Sequence, residues 1–327
     1  MLRYIARKTA GWLAMIVVAT NATYFLASWF LDPQSNYREL RPPRTPEQIA
    51  AALAPYGLDP TEPLLSRWWG WLTGVVLHFD WGRSPTGTWV NDEIGFRMLV
   101  SAQLLTAGVL LSVVLGVGLG VWTASRQYRA ADRIAQAVSV VLFNVPTAVS
   151  ALVLVLLAVW ANHVIGHQFF LVAGSGAPGI EGTWNIVGDR LVRLLLPTAN
   201  LVLLGYVGYH LTQRALLLDT IDADFVRTAR ATGLTRAQAI RRHALPAALI
   251  PTAASVAFSI PAIFTGAIIT ETVFGWRGMG SYFTQTIALN NVHGVVAVAA
   301  FGAVATAVGA ILADVATALL DPRVRVS

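Results

Sequence analysis

Six long runs of apolar residues constrain the fold of this chain of 327 residues more than any other feature. A helix needs about 20 mostly apolar residues to cross the hydrocarbon core of a bilayer. Runs that meet this length lie at about 9–31, 98–124, 134–160, 194–213, 248–273 and 293–319. Only 12% of the residues are charged, whereas soluble domains carry about 25%. We therefore predict an all-α integral membrane protein with six transmembrane helices.

The loops between these runs carry unequal shares of the positive charge. Four segments would lie on one side of the membrane: 1–8, 125–133, 214–247 and 320–327. They hold 14 of the 23 Lys and Arg residues. Because Lys and Arg accumulate in cytoplasmic loops, we expect both termini in the cytoplasm. The same distribution explains the net charge of +6 by membrane topology, without nucleic-acid binding.

This topology divides the chain into four parts. They are the N-terminus with the first helix (1–31), an extracytoplasmic segment (32–97), a core of five helices (98–319) and a cytoplasmic tail (320–327). In the second part, Thr45-Pro46-Glu47-Gln48 is typical of a helix start, with Thr as cap and Pro at the first position. Trp68, Trp69, Trp71 and Trp81 are expected near the membrane surface, where indole rings favour the headgroup zone.

The sequence contains no recognisable catalytic constellation, no Walker A motif and no cysteine, so we predict no catalytic, cofactor or metal site in this chain. Gly116, Gly118 and Gly120 lie inside an apolar run, which favours close helix packing over dinucleotide binding. His163 and His167 are four residues apart, but two ligands are too few for a metal site.

Several polar or helix-breaking residues interrupt the apolar runs. Asn144, Ser255, Ser259 and Thr265 would either line a polar passage or serve ordinary helix packing. Glu271 is expected near the outer end of the fifth run, within reach of water, and Asp314 near the cytoplasmic end of the sixth. We favour structural pairing of these acids over a proton relay. We expect three prolines to kink or interrupt helices: Pro146, Pro197 and Pro261.

The arginine-rich segment (222–246) separates the fourth apolar run from the fifth. Asp222 or Asp224 can cap a first helix, which Gly233 would end. Thr235 can cap a second helix, and Pro246 marks the entry to the next span. Such a corner would expose Leu234. The pattern is compatible with a rigid projection that another protein binds, or with a solvated basic loop beside anionic lipid.

The spacing Ala229-x3-Gly233-x11-Leu245-Pro246 resembles the coupling-loop motif of ATP-binding-cassette importer permeases. Residues 224–234, Asp-Phe-Val-Arg-Thr-Ala-Arg-Ala-Thr-Gly-Leu, are similar to the version in the oligopeptide/dipeptide/nickel branch. The chain departs from the general pattern at three positions, where Arg227, Thr228 and His243 replace Glu, Ala and Ile. Further similarity extends over most of the chain, at residues 56–59 and 63–64, 80–84, 271–280 and 320–325.

This resemblance implies the type I importer permease fold and the first of two permease subunits in a bacterial cell membrane. It also implies partners: a second homologous permease in a heterodimer, two ATPase subunits that bind ATP and Mg, and an extracytoplasmic substrate-binding protein. The residues that would contact the ATPase are Asp224, Arg227, Ala229, Gly233, Leu234, Thr235, Arg236 and Pro246. Peptides would be the cargo, with nickel or another small solute as the alternative. An ion-coupled carrier or channel, or a membrane-embedded scaffold, would need no ATPase.

Overall fold

The computed structural model describes residues 2–38, 40–42, 44–176, 179, 181–258 and 260–320. Within these ranges the chain is helical and has no β-strand. The long helices are α1 (Leu2–Phe30), α5 (Val90–Ala124), α7 (Thr147–Ile165), α8 (Thr183–Ile221) and α14 (Val292–Leu320). The shorter ones are α2 (Ser35–Arg38), α3 (Pro46–Leu53), α4 (Leu64–His78), α6 (Ala130–Phe143), α9 (Asp224–Ala231), α10 (Arg236–Ala239), α11 (Leu245–Phe258), α12 (Ile260–Val273) and α13 (Met279–Ala288).

Five helices of the described part are long and apolar enough to cross a membrane, namely α1, α5, α7, α8 and α14. The third predicted run contains two helices, because α6 ends at Phe143 and Pro146 caps the start of α7. The fifth predicted run also forms two helices, α11 and α12, on either side of residue 259. Residue 259 lies outside the described residues. The sixth span therefore stays a prediction.

Helix α8 is much longer than the predicted run 194–213, and Pro197 lies inside it without ending it. The predicted span was shorter than the helix because charged residues flank the apolar run. The structure shows how these charges are tolerated. Arg193 forms an ion pair with Asp189, one turn away on the same helix, at 2.9 Å. Arg214 pairs with Asp132 of α6 at 2.7 Å.

The chain divides into two compact units, residues 1–102 with 275–307 and residues 103–274 with 308–327. In the first unit, α3 and α4 pack against α1 and the start of α14. Tyr24 of α1 stacks on Trp71 of α4 with ring centroids 4.8 Å apart. The predicted helix start at Thr45 is confirmed, since Thr45 and Gln48 form a capping box.

Trp71 is not an exposed interfacial anchor, although its expected depth near the membrane surface stays a prediction. Its side chain is only 7% exposed and belongs to the hydrophobic core of the first unit. Trp69, two residues earlier on α4, is 60% exposed. Because α4 is amphipathic, its tryptophans point in different directions, and the helix uses one of them as a core residue.

In the second unit, α5 and α8 pack closely through two glycines. A Cβ atom at Gly116 would lie 2.5 Å from the Tyr206 carbonyl oxygen, and one at Gly120 would lie 2.9 Å from the His210 carbonyl oxygen. Both distances are too short for any larger side chain. The predicted packing role of Gly116 and Gly120 is confirmed, whereas a Cβ atom at Gly118 would have open space around it.

Candidate functional site

The arginine-rich segment begins directly after α8. Helix α9 starts at Asp224, and its N-cap is Ala223, which makes no side-chain capping hydrogen bond. Asp222 is instead the C-cap of α8. The predicted aspartate cap is therefore wrong. Asp224 still suits its position, because a carboxylate in the first turn of a helix interacts favourably with the helix dipole.

The predicted corner at Gly233 is present and has the geometry of a Schellman motif. The Gly233 amide donates to the Arg230 carbonyl at 3.1 Å, and the Leu234 amide donates to the Ala229 carbonyl at 3.3 Å. The φ angle of Gly233 is +103°, a value that side chains with a Cβ atom rarely adopt. The corner thus depends on glycine for its backbone conformation.

Leu234 is less exposed than the sequence suggested. It is half-buried and packs against the hydrophobic cluster that contains Val226 and Ala229. This contact is the hydrophobic one that commonly accompanies a Schellman motif. Of the eight residues predicted to contact an ATPase, Ala229 is buried as well. The side chains of Leu234 and Ala229 therefore stabilise the corner through apolar contacts on its buried side.

Thr235 caps the second helix, as predicted. Its hydroxyl accepts from the Gln238 amide at 3.4 Å, while the Gln238 side chain accepts from the Thr235 amide at 3.0 Å. The second helix is continuous with the helix that contains Pro246. It continues through a π turn (Ile240–Ala244) into α11, of which Pro246 is the second residue. Because Pro246 has no amide hydrogen, a change of helical register just before it is tolerated.

The two faces of the arginine-rich segment differ sharply. Its inner face joins a hydrophobic cluster with α5, α8 and α11, formed by Ala124, Leu217, Ile221, Val226, Ala229, Ala239, Ile240, Ala244 and Ala248. Its outer face is cationic, with exposed side chains at Arg227, Arg230, Arg236, Arg241 and Arg242. Phe225 is 49% exposed in the same region. An exposed aromatic ring among arginines is a composition enriched at the centres of protein interfaces.

A buried ion pair holds α8 in place just before the segment. The Arg214 guanidinium donates to both carboxylate oxygens of Asp132, at 2.7 and 2.8 Å. The Gln136 side chain and the Tyr128 amide also donate to this carboxylate. The hydrogen bond from Arg214 is the main cause that lowers the pKa of Asp132 below its ordinary value. Asp132 is therefore ionised at neutral pH although its side chain has no solvent exposure.

Just before Arg214 on α8, two more polar residues connect this helix to its neighbours. The ring nitrogens of His210 lie 3.1 Å from the Thr123 hydroxyl and 2.7 Å from the Ser139 hydroxyl. Gln213 accepts a hydrogen bond from Thr252 of α11 at 2.5 Å. Since Thr123 belongs to α5 and Ser139 to α6, these contacts fix α8 against three other helices. Helix α8, which directly precedes the arginine-rich segment, is therefore hydrogen-bonded to α5, α6 and α11.

Of the four predicted pathway residues, two have described side chains, Asn144 and Ser255. Asn144 and Ser255 are exposed, and each side chain donates to a backbone carbonyl of its own helical region, Val140 and Thr252 respectively. Ser259 and the side chain of Thr265 lie outside the described residues. The assignment of these residues to a passage stays a prediction.

The structure bears differently on the other ionisable residues that were considered in the sequence. Glu271 is fully buried, which contradicts its expected exposure to water. The side chain of Asp314 lies outside the described residues. His163 is in the last turn of α7, but Gly166 ends this helix before His167, so their spacing does not place them on one helix face. Among the described residues, no three His, Cys, Asp or Glu side chains form a group suited to a metal ion.

The polar contacts of α8 were not predicted from the sequence. Asn200, fully buried, donates to Thr270 of α12 at 2.9 Å and accepts from Ser150 of α7 at 2.7 Å. The available signal was the presence of Asn200, His210 and Gln213 within or beside an apolar run, because polar residues inside spans normally face other helices. Their partners are distant in sequence and carry no comparable signal.

Comparisons with known proteins agree with this architecture. A family model described as binding-protein-dependent transport system inner membrane component matches residues 116–326. The chain is 39% identical to the oligopeptide transport system permease protein OppB of Mycobacterium tuberculosis, over 100% of both chains. It is 28% identical to the dipeptide transport system permease protein DppB of Bacillus subtilis, over 99% of this chain and 98% of the relative. The chain belongs to the family of inner membrane components of binding-protein-dependent transport systems.

Proposed function

We propose that this chain is a permease subunit of an ATP-driven peptide importer and that the arginine-rich segment transmits the movement of partner ATPases to the helices. The names of its relatives, oligopeptide and dipeptide transport system permeases, support the cargo. The observation that carries the coupling role is the two-faced segment itself. Its inner face is packed into the helices, and its outer face presents Phe225 among exposed arginines.

In this proposal the energy comes from partner subunits. The sequence has no phosphate-binding loop, so ATP and Mg would be bound by the ATPases. Two ATPase subunits on the cytoplasmic side would close around ATP and displace the arginine-rich segment. A second homologous permease would complete the pathway, and an extracytoplasmic binding protein would deliver the peptide. In this arrangement both termini are cytoplasmic, six helices cross the bilayer and residues 32–97 are extracytoplasmic.

Transmission needs a rigid connection between the corner at Gly233 and the helices. The hydrophobic cluster of the segment supplies one part of it, since Val226 and Ile240 are buried against α8. The Asp132–Arg214 pair supplies another by fixing α8 to α6. A pull on the corner would then move the helices as a body, which is the requirement of alternating access. The permease hydrolyses nothing and supplies different contacts in its two states.

Reconstitution tests this function. Proteoliposomes that contain the chain, the homologous permease, both ATPases and the binding protein should accumulate a labelled pentapeptide only when ATP is present. Omission of any one component should abolish accumulation. Uptake by this chain alone, driven by an ion gradient, would instead identify an ion-coupled carrier. Competition by a dipeptide or by Ni²⁺, measured in the same vesicles, assigns the cargo within the family.

A further inference from the structure

Helix α4 contains a run of uncharged residues that is too short to cross a bilayer. Residues 68–79 are mostly apolar and include no Asp, Glu, Lys or Arg. A run of about 10–14 apolar residues is typical of a buried core helix or of a re-entrant or interfacial segment in a membrane protein. Helix α4 is not a buried core helix, because Leu65, Trp69 and Val76 are each 60% exposed or more. A re-entrant or interfacial segment therefore fits it better.

The surface of α4 has three faces of different composition. One face packs into the hydrophobic core of the first unit, with Trp71 as its buried residue. A second face borders a polar cavity of about 460 Å³ and carries small or charged residues: Ser66, Arg67, Gly70 and Gly74. The third, called here the outer face of α4, is exposed and carries large apolar side chains: Leu65, Trp69 and Val76. Their spacing places these three on one side of the helix.

The contacts between α4 and α1 place α4 at membrane depth. Helix α1 is long and apolar enough to cross a membrane, and no charged residue lies between Lys8 and Asp32. The Trp68 indole donates to the Asn21 side chain at 2.7 Å, and its ring centroid lies 5.5 Å from that of Phe25. Asn21 lies about 14 Å before the last residue of α1, at about 1.5 Å per residue. This distance is close to half of the roughly 30 Å hydrocarbon core, so an α4 side chain reaches far into the membrane that α1 would span.

The composition of the outer face favours lipid over another helix as its neighbour. Interfaces between membrane helices are enriched in small residues, and on α4 Ser66 and Gly70 border the cavity instead. Thr73 needs no water, because its hydroxyl donates to the Trp69 carbonyl at 2.9 Å. Exposed side chains near the end of α1 are of the same large apolar kind: Leu26, Trp29 and Phe30. Acyl chains and the adjoining headgroup zone suit such residues.

We propose that α4 is embedded in one leaflet of the bilayer beside α1, with its outer face against phospholipid acyl chains. Under the topology proposed above, this is the outer leaflet, and part of the segment 32–97 then lies within the membrane. Only the choice of leaflet rests on the proposed function. The embedding itself requires neither ATP nor the ATPases, so peptide uptake does not decide it.

Spin labels on single cysteines test the inference in the full-length chain, reconstituted into liposomes of phosphatidylcholine and phosphatidylglycerol. The sequence has no cysteine, so each variant carries one label. Leu65→Cys and Val76→Cys probe the outer face of α4. Leu26→Cys on α1 is the matched lipid reference, and Thr61→Cys, exposed in the loop before α4, is the aqueous reference. Power saturation compares collisions of each label with oxygen, which concentrates in lipid, and with a nickel chelate, which stays in water.

Both labels on α4 should collide more with oxygen than with the nickel chelate, as the α1 label does, and the label at Thr61 should show the reverse. This result should persist when the homologous permease and the ATPases are added. More collisions with the nickel chelate at either α4 position would overturn the proposal and assign the outer face to water or to the binding protein. Loss of oxygen collisions on addition of the permease would also overturn it, in favour of a permease interface. An aqueous result at Leu26 would overturn its premise, the span of α1.

A charge on each of two faces of α4 gives a second test. Val76→Asp, combined with Leu65→Cys, should shift the label towards the nickel chelate, because a carboxylate is unfavourable in hydrocarbon. Ser66→Asp, combined with the same cysteine, is the matched control. Ser66 borders the polar cavity, so its replacement should leave the label in lipid. The same shift in both combinations, or no shift with Val76→Asp, would contradict the proposal.

Discussion

Replacing Gly233 with valine is expected to reduce ATP-driven peptide uptake by about tenfold or more without reducing membrane insertion. The φ angle of +103° is unfavourable for any β-branched residue, and such strain costs on the order of 1–3 kcal/mol. No atom lies within 4 Å of the position of a Cβ atom, so the cost comes from the backbone. The chain would relieve it by opening the Schellman motif and releasing Leu234. Uptake in proteoliposomes and the amount of inserted chain are the two measurements.

Two further variants separate this cause from general damage. Gly166→Val places the same residue at another positive φ, +79°, at the end of α7, and it should leave uptake close to normal. Gly233→Asn should retain more uptake than Gly233→Val, because asparagine tolerates positive φ better. Normal uptake by Gly233→Val would remove the corner from the mechanism. An equal loss in Gly166→Val would point to a nonspecific effect of valine at a turn.

The second large effect is expected at the Asp132–Arg214 pair. Asp132→Asn or Arg214→Gln leaves one partner without its counter-charge in a buried position, which typically costs about 3–5 kcal/mol of stability. Arg38→Gln breaks an exposed pair, with side-chain exposures of 56% and 44%, and should cost about 1 kcal/mol or less. Thermal unfolding of the purified variants, followed by light scattering and tryptophan fluorescence, measures the difference.

The double variant and the pH dependence sharpen this test. Asp132→Asn combined with Arg214→Gln should cost less than the sum of the single changes, because no isolated charge remains. The lowered pKa of Asp132 means that its stabilising contribution is fully present above about pH 4, the unfolded value, and is lost as the pH falls through the folded value. Single variants as stable as Arg38→Gln would show that the pair contributes little.

Local signals in the sequence predicted local structure well. The capping boxes at Thr45 and Thr235 and the corner at Gly233 each depend on residues fewer than seven positions apart, so the sequence pattern contains all the partners. The glycine pair Gly116 and Gly120 also predicted close packing, although not the helix that approaches it. Local patterns of this kind are sufficient to predict helix caps and turns wherever tertiary contacts do not override them.

Apart from the aspartate cap of α9, which is a local error, the errors discussed below arose where distant residues decide the outcome. Helix α8 extends past its apolar run because Arg214 meets Asp132, 82 residues away in sequence. Trp71 is a core residue because Tyr24 of α1 stacks on it. Leu234 is half-buried because it packs against the hydrophobic cluster that the arginine-rich segment forms with α8 and α11. A single sequence contains both residues of each contact, but nothing in it indicates that these two residues pair.

Site-specific photo-crosslinking tests the central claim most directly. Phe225, exposed on α9, is replaced by p-benzoylphenylalanine in the assembled transporter, and Trp184, 85% exposed at the start of α8, is replaced in a matched control. Irradiation should join position 225 to an ATPase subunit and should yield no ATPase adduct from position 184. If position 225 forms no adduct with an ATPase in a complex that contains both ATPases and transports peptide, the arginine-rich segment is not the coupling element.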